Sequence, residues 1–309
     1  MNKTALLFAG QGAQSVGMGR DLAAHYPLAQ ALFDGANEVL GYNLRRICFE
    51  GSEAELTQTE NAQPGIYLVS WIALQLLQEK LPALRFEAAA GLSLGEFTAL
   101  AAAGAFSFAD GLRLVRKRGC LMQEACEATP GGMAAIIGLE EGPTRAVCQE
   151  ADVELANLNC PGQIVISGAA DRIAQACELA KAKGAKLALP LTVAGAYHSR
   201  LMAGAQPKMR EALATVALRS PEIPVISNVT AQPHGTGSEV QDRLVEQITS
   251  SVLWERSMRY LLAQGFTRFV ELGPGTVLTG FMRRIDKSAQ MFNVADAASL
   301  EASAKALAR

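Results

Sequence analysis

The stretch AAAGLSLGEF (residues 88–97) contains the pattern that decides the fold. An apolar segment from Phe86 to Gly91 runs into Gly91-Leu92-Ser93-Leu94-Gly95, and the residues from Leu94 to Ala103 are spaced as in a helix. A G-x-S-x-G pattern between a buried strand and a helix is typical of a sharp, strained turn that exposes the serine hydroxyl. The pattern predicts that Ser93 is a nucleophile. The alternative is a small buried turn in which the serine has no chemical role.

The elements around this turn predict a parallel α/β sheet. Lys3 to Ala9 is an apolar run that ends in a glycine-rich loop at residues 10–14, and Ser107 opens a helix that continues to about Cys126. Strands that alternate with helices indicate a parallel sheet covered on both faces. After residue 200 the pattern resumes, with a helix predicted from about Arg200 to Leu218 and a strand at Thr267–Leu272. We therefore expect a hydrolase-like core.

Residues 129–195 have a different order of predicted strands and helices. After the turn at 129–132, strands and helices alternate in the order βαββαβ and end with a strand at Lys186–Val193. This is the order of a ferredoxin-like unit. The sequence predicts an α/β fold with a hydrolase-like parallel-sheet core, formed by residues 1–128 and 196–309, and an inserted ferredoxin-like subdomain at 129–195.

The composition excludes several classes of protein. The chain has 309 residues, with 28 basic and 30 acidic side chains, so it lacks the basic excess of a nucleic-acid binder. Its six cysteines form no CxxC pair and none lies near a histidine, which argues against a zinc site and a disulfide framework. The most apolar stretch, Ala88–Ala109, has Glu96 at its centre and is interpreted as buried core. We expect a cytoplasmic protein without metal, permanently bound cofactor, nucleic acid or membrane partner.

A serine nucleophile needs a base, and the chain has three histidines. His25 and His234 lie near a helix end and in a Gly/Pro-rich loop, and we expect both on the surface. His198 follows the predicted insertion and is the favoured base. Glu255 and Glu271 could orient its imidazole, but a backbone carbonyl can hold the Nδ1 proton equally well. We therefore predict a dyad of Ser93 and His198.

Two further groups would complete an acyl-transfer site. The oxyanion of a tetrahedral intermediate needs two donors, which we predict to be the backbone N–H of Leu94 and one from the loop Gly10-Gln11-Gly12. On the helix from Ser107 to Cys126, Arg118 lies at the edge of an apolar stripe that includes Met122. An arginine there can offer its planar fork to a carboxylate, although charges on a helix more often form a solvated face.

Seven sequence blocks resemble the malonyl-CoA:acyl carrier protein transacylases of fatty acid synthesis and the related acyltransferase domains of polyketide synthases. They occur in family order over nearly the whole chain: FAGQGAQ (8–14), GLSLGE (91–96), RGCLMQ (118–123), NLNCPGQIVISG (157–168), GAYHS (195–199), VISNVT (225–230) and ELGPGTVLTG (271–280). The resemblance implies a hydrolase-like domain with a ferredoxin-like insertion.

The resemblance also implies roles for individual residues. Ser93 would take the malonyl group from malonyl-CoA, His198 would act as general base and acid, and Arg118 would pair with the malonyl carboxylate. The backbone N–H groups of Gln11 and Leu94 would form the oxyanion hole, and the backbone carbonyl of Gln247 would orient the histidine. By family pattern, Leu94 and Tyr197 resemble selectors of malonyl over methylmalonyl groups, and Met122 is included among the substrate-binding residues.

The sequence departs from the family at two places and leaves alternatives open. Leu92 stands where the family usually has histidine, so we expect a changed pocket wall or pH dependence, and the stretch from Gln247 to Trp254 lacks the usual Asn-Pro pair. The alternatives are a stand-alone acyltransferase or an editing hydrolase of a polyketide synthase, and a scaffold protein without activity. An acidic holo acyl carrier protein is the predicted partner. Basic residues are the candidates for receiving it: Lys181, Lys183, Lys186, Arg116 and Lys117.

Overall fold

The computed structural model describes residues 3–308. In this range the strands are β1 (Lys3–Phe8), β2 (Ala88–Gly91), β3 (Gly131–Ile137), β4 (Glu154–Cys160), β5 (Gln163–Ala169), β6 (Leu187–Pro190), β7 (Val225–Ile226), β8 (Phe266–Leu272) and β9 (Gln290–Val294). The helices before residue 130 are α1 (Arg20–His25), α2 (Pro27–Leu40), α3 (Leu44–Glu50), α4 (Glu53–Thr57), α5 (Thr59–Lys80), α6 (Leu94–Ala102) and α7 (Phe108–Ala128). Those after it are α8 (Glu141–Ala151), α9 (Ala170–Ala182), α10 (Ala205–Ala214), α11 (Gly237–Glu246), α12 (Trp254–Ala263), α13 (Val277–Ile285) and α14 (Ala297–Leu307).

The first sheet is parallel and has the strand order β7-β2-β1-β8-β9. Its central strands are buried on both faces, which explains why they read as continuous apolar runs. Phe8 at the end of β1 pairs with Gly91 of β2 and with Leu272 of β8. The loops that follow these strands therefore emerge at one edge of the sheet.

The second sheet is antiparallel and has the order β4-β5-β3-β6. Together with α8 and α9 it forms the βαββαβ order that the sequence predicts. Ala134 and Ile136 of β3 belong to the apolar cluster shared with these two helices, whereas Met133 and Ala135 line a cavity on the other face. The alternation follows from the period-two arrangement of side chains along a strand. The domain boundaries at residues 128/129 and 195/196 stay predictions.

The chain enters and leaves the antiparallel segment at two residues that lie close together. A Cβ atom on Gly131, at the start of β3, would lie 2.6 Å from Cβ of Ala196. The absence of a side chain at Gly131 therefore allows the outgoing and returning chain to lie against each other.

The α/β fold with a parallel core is confirmed, and several element boundaries differ from the sequence-based ones. The helix predicted over Arg200–Leu218 is wrong in its extent: a short 3-10 helix covers Arg200–Met202, and α10 covers Ala205–Ala214. Pro207 has no N–H and therefore favours a position in the first turn of a new helix. Neither β9 nor α14 is predicted from the sequence. None of the helices within residues 3–308 combines the length and apolar character needed to cross a bilayer.

Candidate active site

Ser93 lies in a strained turn between β2 and α6. Its backbone angles, φ 52° and ψ −101°, are ones that residues other than glycine rarely adopt. The two flanking glycines make the turn possible: a Cβ on Gly91 would overlap the backbone of Gly95, and a Cβ on Gly95 would overlap the carbonyl oxygen of Phe8. The pattern G-x-S-x-G is therefore required for the helix to pack against β1 while Ser93 is presented at its N-terminus.

Ser93 and His198 are in hydrogen-bond contact, although 105 residues separate them. Ser93 Oγ lies 2.8 Å from His198 Nε2, and His198 Nδ1 lies 2.8 Å from the backbone carbonyl oxygen of Gln247. A carbonyl oxygen can only accept, so Nδ1 carries the proton and Nε2 is free to accept the serine proton. This arrangement lets the imidazole act as a general base without a carboxylate partner.

Arg118 lies beside the serine and is 1% exposed. Its Nη2 donates to Ser93 Oγ at 3.0 Å and to Gln247 Oε1 at 2.9 Å, and its Nη1 donates to Gln63 Oε1 at 2.9 Å. The Nε atom has no hydrogen-bond partner among the described residues. A guanidinium has five N–H donors, and these bonds use three of them.

Burial and charge shift the acid–base equilibria of the site. Burial, and secondarily the positive charge of Arg118, lower the pKa of His198 to about 4, while its hydrogen bond to the carbonyl of Gln247 opposes the shift. Burial also lowers the pKa of Arg118 to about 10, against the attraction of Glu96. Near neutral pH the imidazole is therefore uncharged, as a base must be, and the guanidinium is charged.

The two predicted oxyanion donors lie on the segments next to Ser93, at the start of α6 and in the loop after β1. Leu94 is the first residue of α6, so its N–H is among those that a helix leaves without an intrahelical partner. Gln11 lies in the loop after β1 and lines the same cavity as Ser93 and His198. The loop lies so close to the serine turn that a Cβ on Gly10 would overlap the carbonyl oxygen of Leu92.

A cavity of ≈ 380 Å³ opens in front of Ser93, between the two sheets. Met122, Leu92 and Tyr197 line it, so the position that departs from the family pattern does form part of the pocket wall. Arg118 is not among the lining residues; it contacts the dyad through the bond from its Nη2 to Ser93 Oγ. The antiparallel sheet and its neighbouring segments contribute further lining residues: Ala135, Asn157, Asn159, Gln163, Val165, Leu191, Thr192 and Val193.

The expectation that His234 lies on the surface is wrong. Its imidazole is completely buried, and its Nε2 lies 2.6 Å from Oε1 of Glu96, whose side chain is equally buried. His25 has an exposed imidazole that pairs with Asp21. A Gly/Pro-rich loop is typical of the surface, but the imidazole of His234 is buried because Glu96 of α6 packs on it.

Neither acid considered as an orienting group reaches His198. Glu271 accepts hydrogen bonds from the backbone N–H groups of Leu278 and Thr279 at the start of α13, and Glu255 pairs with Arg259 on the surface of α12. A backbone carbonyl, that of Gln247, holds the imidazole instead. The geometry is that of a dyad.

Two polar residues with direct contacts to the site are not predicted from the sequence. Asn228, which follows β7, accepts from the backbone N–H of Ser93 at 2.6 Å and donates to the carbonyl of Gly91 at 2.7 Å. Gln63, on α5, holds Arg118 and also contacts Gln11. Asn228 lies in the block VISNVT, which offered a signal for it, whereas Gln63 has no local pattern that marks it.

The basic residues considered for carrier docking are mostly in surface ion pairs. Arg116 pairs with Glu60, Lys181 with Glu178, and Lys183 with Glu150. Their role in docking stays a prediction. Within residues 3–308, no group of three or more His, Cys, Asp or Glu side chains is arranged to hold a metal ion.

Comparisons with known proteins agree on one family. The sequence model described as "Acyl transferase domain" matches residues 5–304. The malonyl CoA-acyl carrier protein transacylase of Bacillus subtilis (strain 168) is 44% identical over 306 residues, which cover 97% of this chain and 96% of that protein.

Solved structures give the same result. An acyl carrier protein S-malonyltransferase from Vibrio cholerae superposes with a TM-score of 0.93 at 39% identity, covering 97% of this chain and 99% of the other. A malonyl-transacylase solved in complex with its type II polyketide synthase acyl carrier protein has a TM-score of 0.94 at 36% identity, covering 98% and 99% of the two chains. These matches, together with the geometry around Ser93, show that the chain belongs to the acyl transferase domain family.

Proposed function

We propose that this chain transfers the malonyl group of malonyl-CoA to the phosphopantetheine thiol of holo acyl carrier protein, and so supplies fatty acid chain elongation. One observation carries the choice of acyl group. The buried guanidinium of Arg118 lies 3.0 Å from Ser93 Oγ, the atom that would bear the acyl chain. A short acyl chain that ends in a carboxylate would place its anion against this cation, in a site where the charge is little screened by water.

In the first half-reaction Ser93 Oγ attacks the thioester carbonyl and its proton moves to His198 Nε2. The backbone N–H groups of Gln11 and Leu94 would hold the oxyanion of the tetrahedral intermediate. The C–S bond then breaks, His198 returns the proton to the leaving sulfur, and CoA departs as a thiol. The product of this step is malonyl-Ser93, with its free carboxylate on Arg118.

In the second half-reaction the thiol of the carrier protein gives its proton to His198 and attacks the ester carbonyl of malonyl-Ser93. The C–O bond breaks, and Ser93 leaves with the proton returned by His198. Each half-reaction uses the same base and the same oxyanion donors, so the enzyme is restored after one transfer. The substrates are malonyl-CoA and the carrier protein, with no permanently bound cofactor. A cytoplasmic location stays a prediction.

The test is the acyl selectivity of an Arg118→Ala variant, with Arg113→Ala as its matched control. Arg113 lies on the same helix but is exposed and pairs with Asp110. We expect Arg118→Ala to lose at least about 100-fold in kcat/KM for malonyl-CoA, as for a lost charge-assisted bidentate contact, and to gain on acetyl-CoA. Unchanged malonyl turnover would exclude the carboxylate role.

The fate of the acyl group separates transfer from hydrolysis. Mass spectrometry after mixing with malonyl-CoA should show a malonyl adduct on Ser93 that persists until holo carrier protein is added. Rapid loss of the adduct to water would favour an editing hydrolase, and absence of any adduct would favour a scaffold protein.

A further inference from the structure

A buried acid and histidine lie directly behind the serine turn. His234 Nε2 and Glu96 Oε1 are 2.6 Å apart, and both side chains are fully excluded from solvent. Glu96 belongs to the first turn of α6, and His234 comes from the loop after β7. A carboxylate buried without donors is strongly unfavourable, so its partners determine where it can lie. His234 supplies the donor at Oε1.

The second oxygen of Glu96 faces two groups of the active site. Oε2 accepts from Nε2 of Gln247 at 2.6 Å and from the backbone N–H of Asn228 at 3.1 Å. Both of these residues contact the serine turn: Gln247 Nε2 donates to the carbonyl of Ser93 at 2.9 Å, and Asn228 Oδ1 accepts from its N–H at 2.6 Å. Glu96 therefore anchors two residues, Gln247 and Asn228, whose side chains hold the backbone of the nucleophile.

Gln247 joins this pair to the rest of the site. Its amide oxygen accepts from Arg118 at 2.9 Å, and its backbone carbonyl accepts from His198 at 2.8 Å. The orientation of the amide matters, because arginine can only donate. The NH₂ end must face Glu96 for the oxygen to face Arg118. If Glu96 moved, the amide could rotate and leave Arg118 against a donor.

We propose that Glu96 and His234 are positioning residues for acyl transfer. His234 holds the carboxylate of Glu96, and Glu96 sets the Gln247 amide and the Asn228 backbone, which in turn align Arg118, His198 and Ser93. The pair touches neither substrate nor reacting atoms. The inference rests on the proposed function, because its readout is malonyl transfer.

The decisive variant is His234→Ala, which removes the donor from Glu96 and leaves every group that contacts Ser93 Oγ in place. We expect kcat for malonyl transfer to fall by about 10- to 100-fold, the range caused by small displacements of reacting groups, while KM for malonyl-CoA changes less than threefold. The ratio of malonyl to acetyl transfer should also fall, since Arg118 is less well held. Rates are normalised to the number of sites that form the Ser93 adduct, so that unfolded protein does not count.

Two further variants distinguish positioning from simple structural support. His234→Gln retains an N–H donor at this position and should recover most of the lost kcat and selectivity. His25→Ala, at an exposed histidine that pairs with Asp21, is the matched control and should behave as the wild type. If His234→Ala does not fold, the same comparison of kcat, KM and acyl selectivity is made between wild type and Glu96→Gln, which conserves the shape of the side chain.

The outcomes are separable from those of the proposed function. Absence of a malonyl adduct in the wild-type protein would overturn the proposed function. In a wild-type protein that forms the adduct, unchanged kcat and unchanged selectivity in His234→Ala would overturn only the positioning role. A loss of rate in His234→Ala that His234→Gln does not recover would also overturn the positioning role. A fall in kcat with preserved KM, reversed by His234→Gln, supports it.

Discussion

The two sheets contribute different things to the cleft between them. The groups that bond to Ser93 Oγ or hold its backbone come from helices and loops around the parallel sheet, among them Arg118 on α7 and Asn228 after β7. The antiparallel sheet lines the cavity with residues such as Ala135, Asn157 and Val165, and His198 follows where the chain returns from it. The wall on the parallel-sheet side therefore positions the nucleophile, and the antiparallel wall shapes the space in front of it. Changes in the two walls should therefore affect different kinetic constants.

The largest effect is expected at the nucleophile. Ser93→Ala removes the atom that forms the ester, so turnover should fall by about 10⁴-fold or more and no malonyl adduct should form. Mass spectrometry and a transfer assay measure both. Ser288→Ala, at an exposed serine outside the cleft, is the control and should keep the adduct and the rate. An adduct that persists in Ser93→Ala would place the nucleophile elsewhere.

The next effect concerns the acid limb of the pH profile. Because the pKa of His198 is lowered to about 4, its neutral, base-competent form should predominate at pH 5 and above. We expect kcat/KM for acetyl-CoA to be constant down to about pH 5 and to decline as pH falls through about 4, since protonated imidazole cannot accept the serine proton.

Removing the charge of Arg118 tests the cause of this shift. Arg118 contributes to lowering the pKa of His198, so Arg118→Gln should move the acid limb to higher pH. Acetyl-CoA is the substrate for both proteins, because it does not need the carboxylate contact. Far-UV circular dichroism at each pH confirms that the protein remains folded. An acid limb that stays in place, or moves to lower pH, would contradict the electrostatic coupling.

The smallest effect is expected on the antiparallel side. Leu191, directly after β6, and Leu187, the first residue of β6, are both exposed, but only Leu191 lines the cavity. Leu191→Ala should raise KM for malonyl-CoA about two- to fivefold, corresponding to roughly 0.5–1 kcal/mol of lost apolar contact, and leave kcat unchanged. Leu187→Ala should change neither constant. A fall in kcat for Leu191→Ala would show that this wall also influences the chemistry.

The site residues that can be predicted from the sequence are those whose chemistry is rare or whose local pattern is strict. Ser93 was marked by two glycines that leave no room for side chains, and His198 by the scarcity of other histidines. The structure places both together with Arg118. The ferredoxin-like order was also predictable, because short apolar runs bounded by turn residues and separated by helical spacing mark strands and helices in turn.

What could not be predicted depends on contacts between distant segments. Glu96 and His234 are 138 residues apart, and nothing near either one indicates that they meet. Gln63 is a polar residue within a long buried helix, where neither periodicity nor motif distinguishes a ligand of Arg118 from any other amide. β9 is only partly buried at the edge of its sheet, so its residues lack a continuous apolar run. In each case the sequence does not show which distant segment of the chain packs against the residue.

The close approach of Gly131 to Ala196 has a consequence for how such enzymes can diversify. A segment whose two ends meet can be lengthened or exchanged for another without parting the framework that it interrupts. Its point of return is constrained, however, because His198 comes two residues after Ala196. Any transplanted segment must therefore deliver the chain to that spot at the same angle, or the base would be displaced while the nucleophile stayed in place.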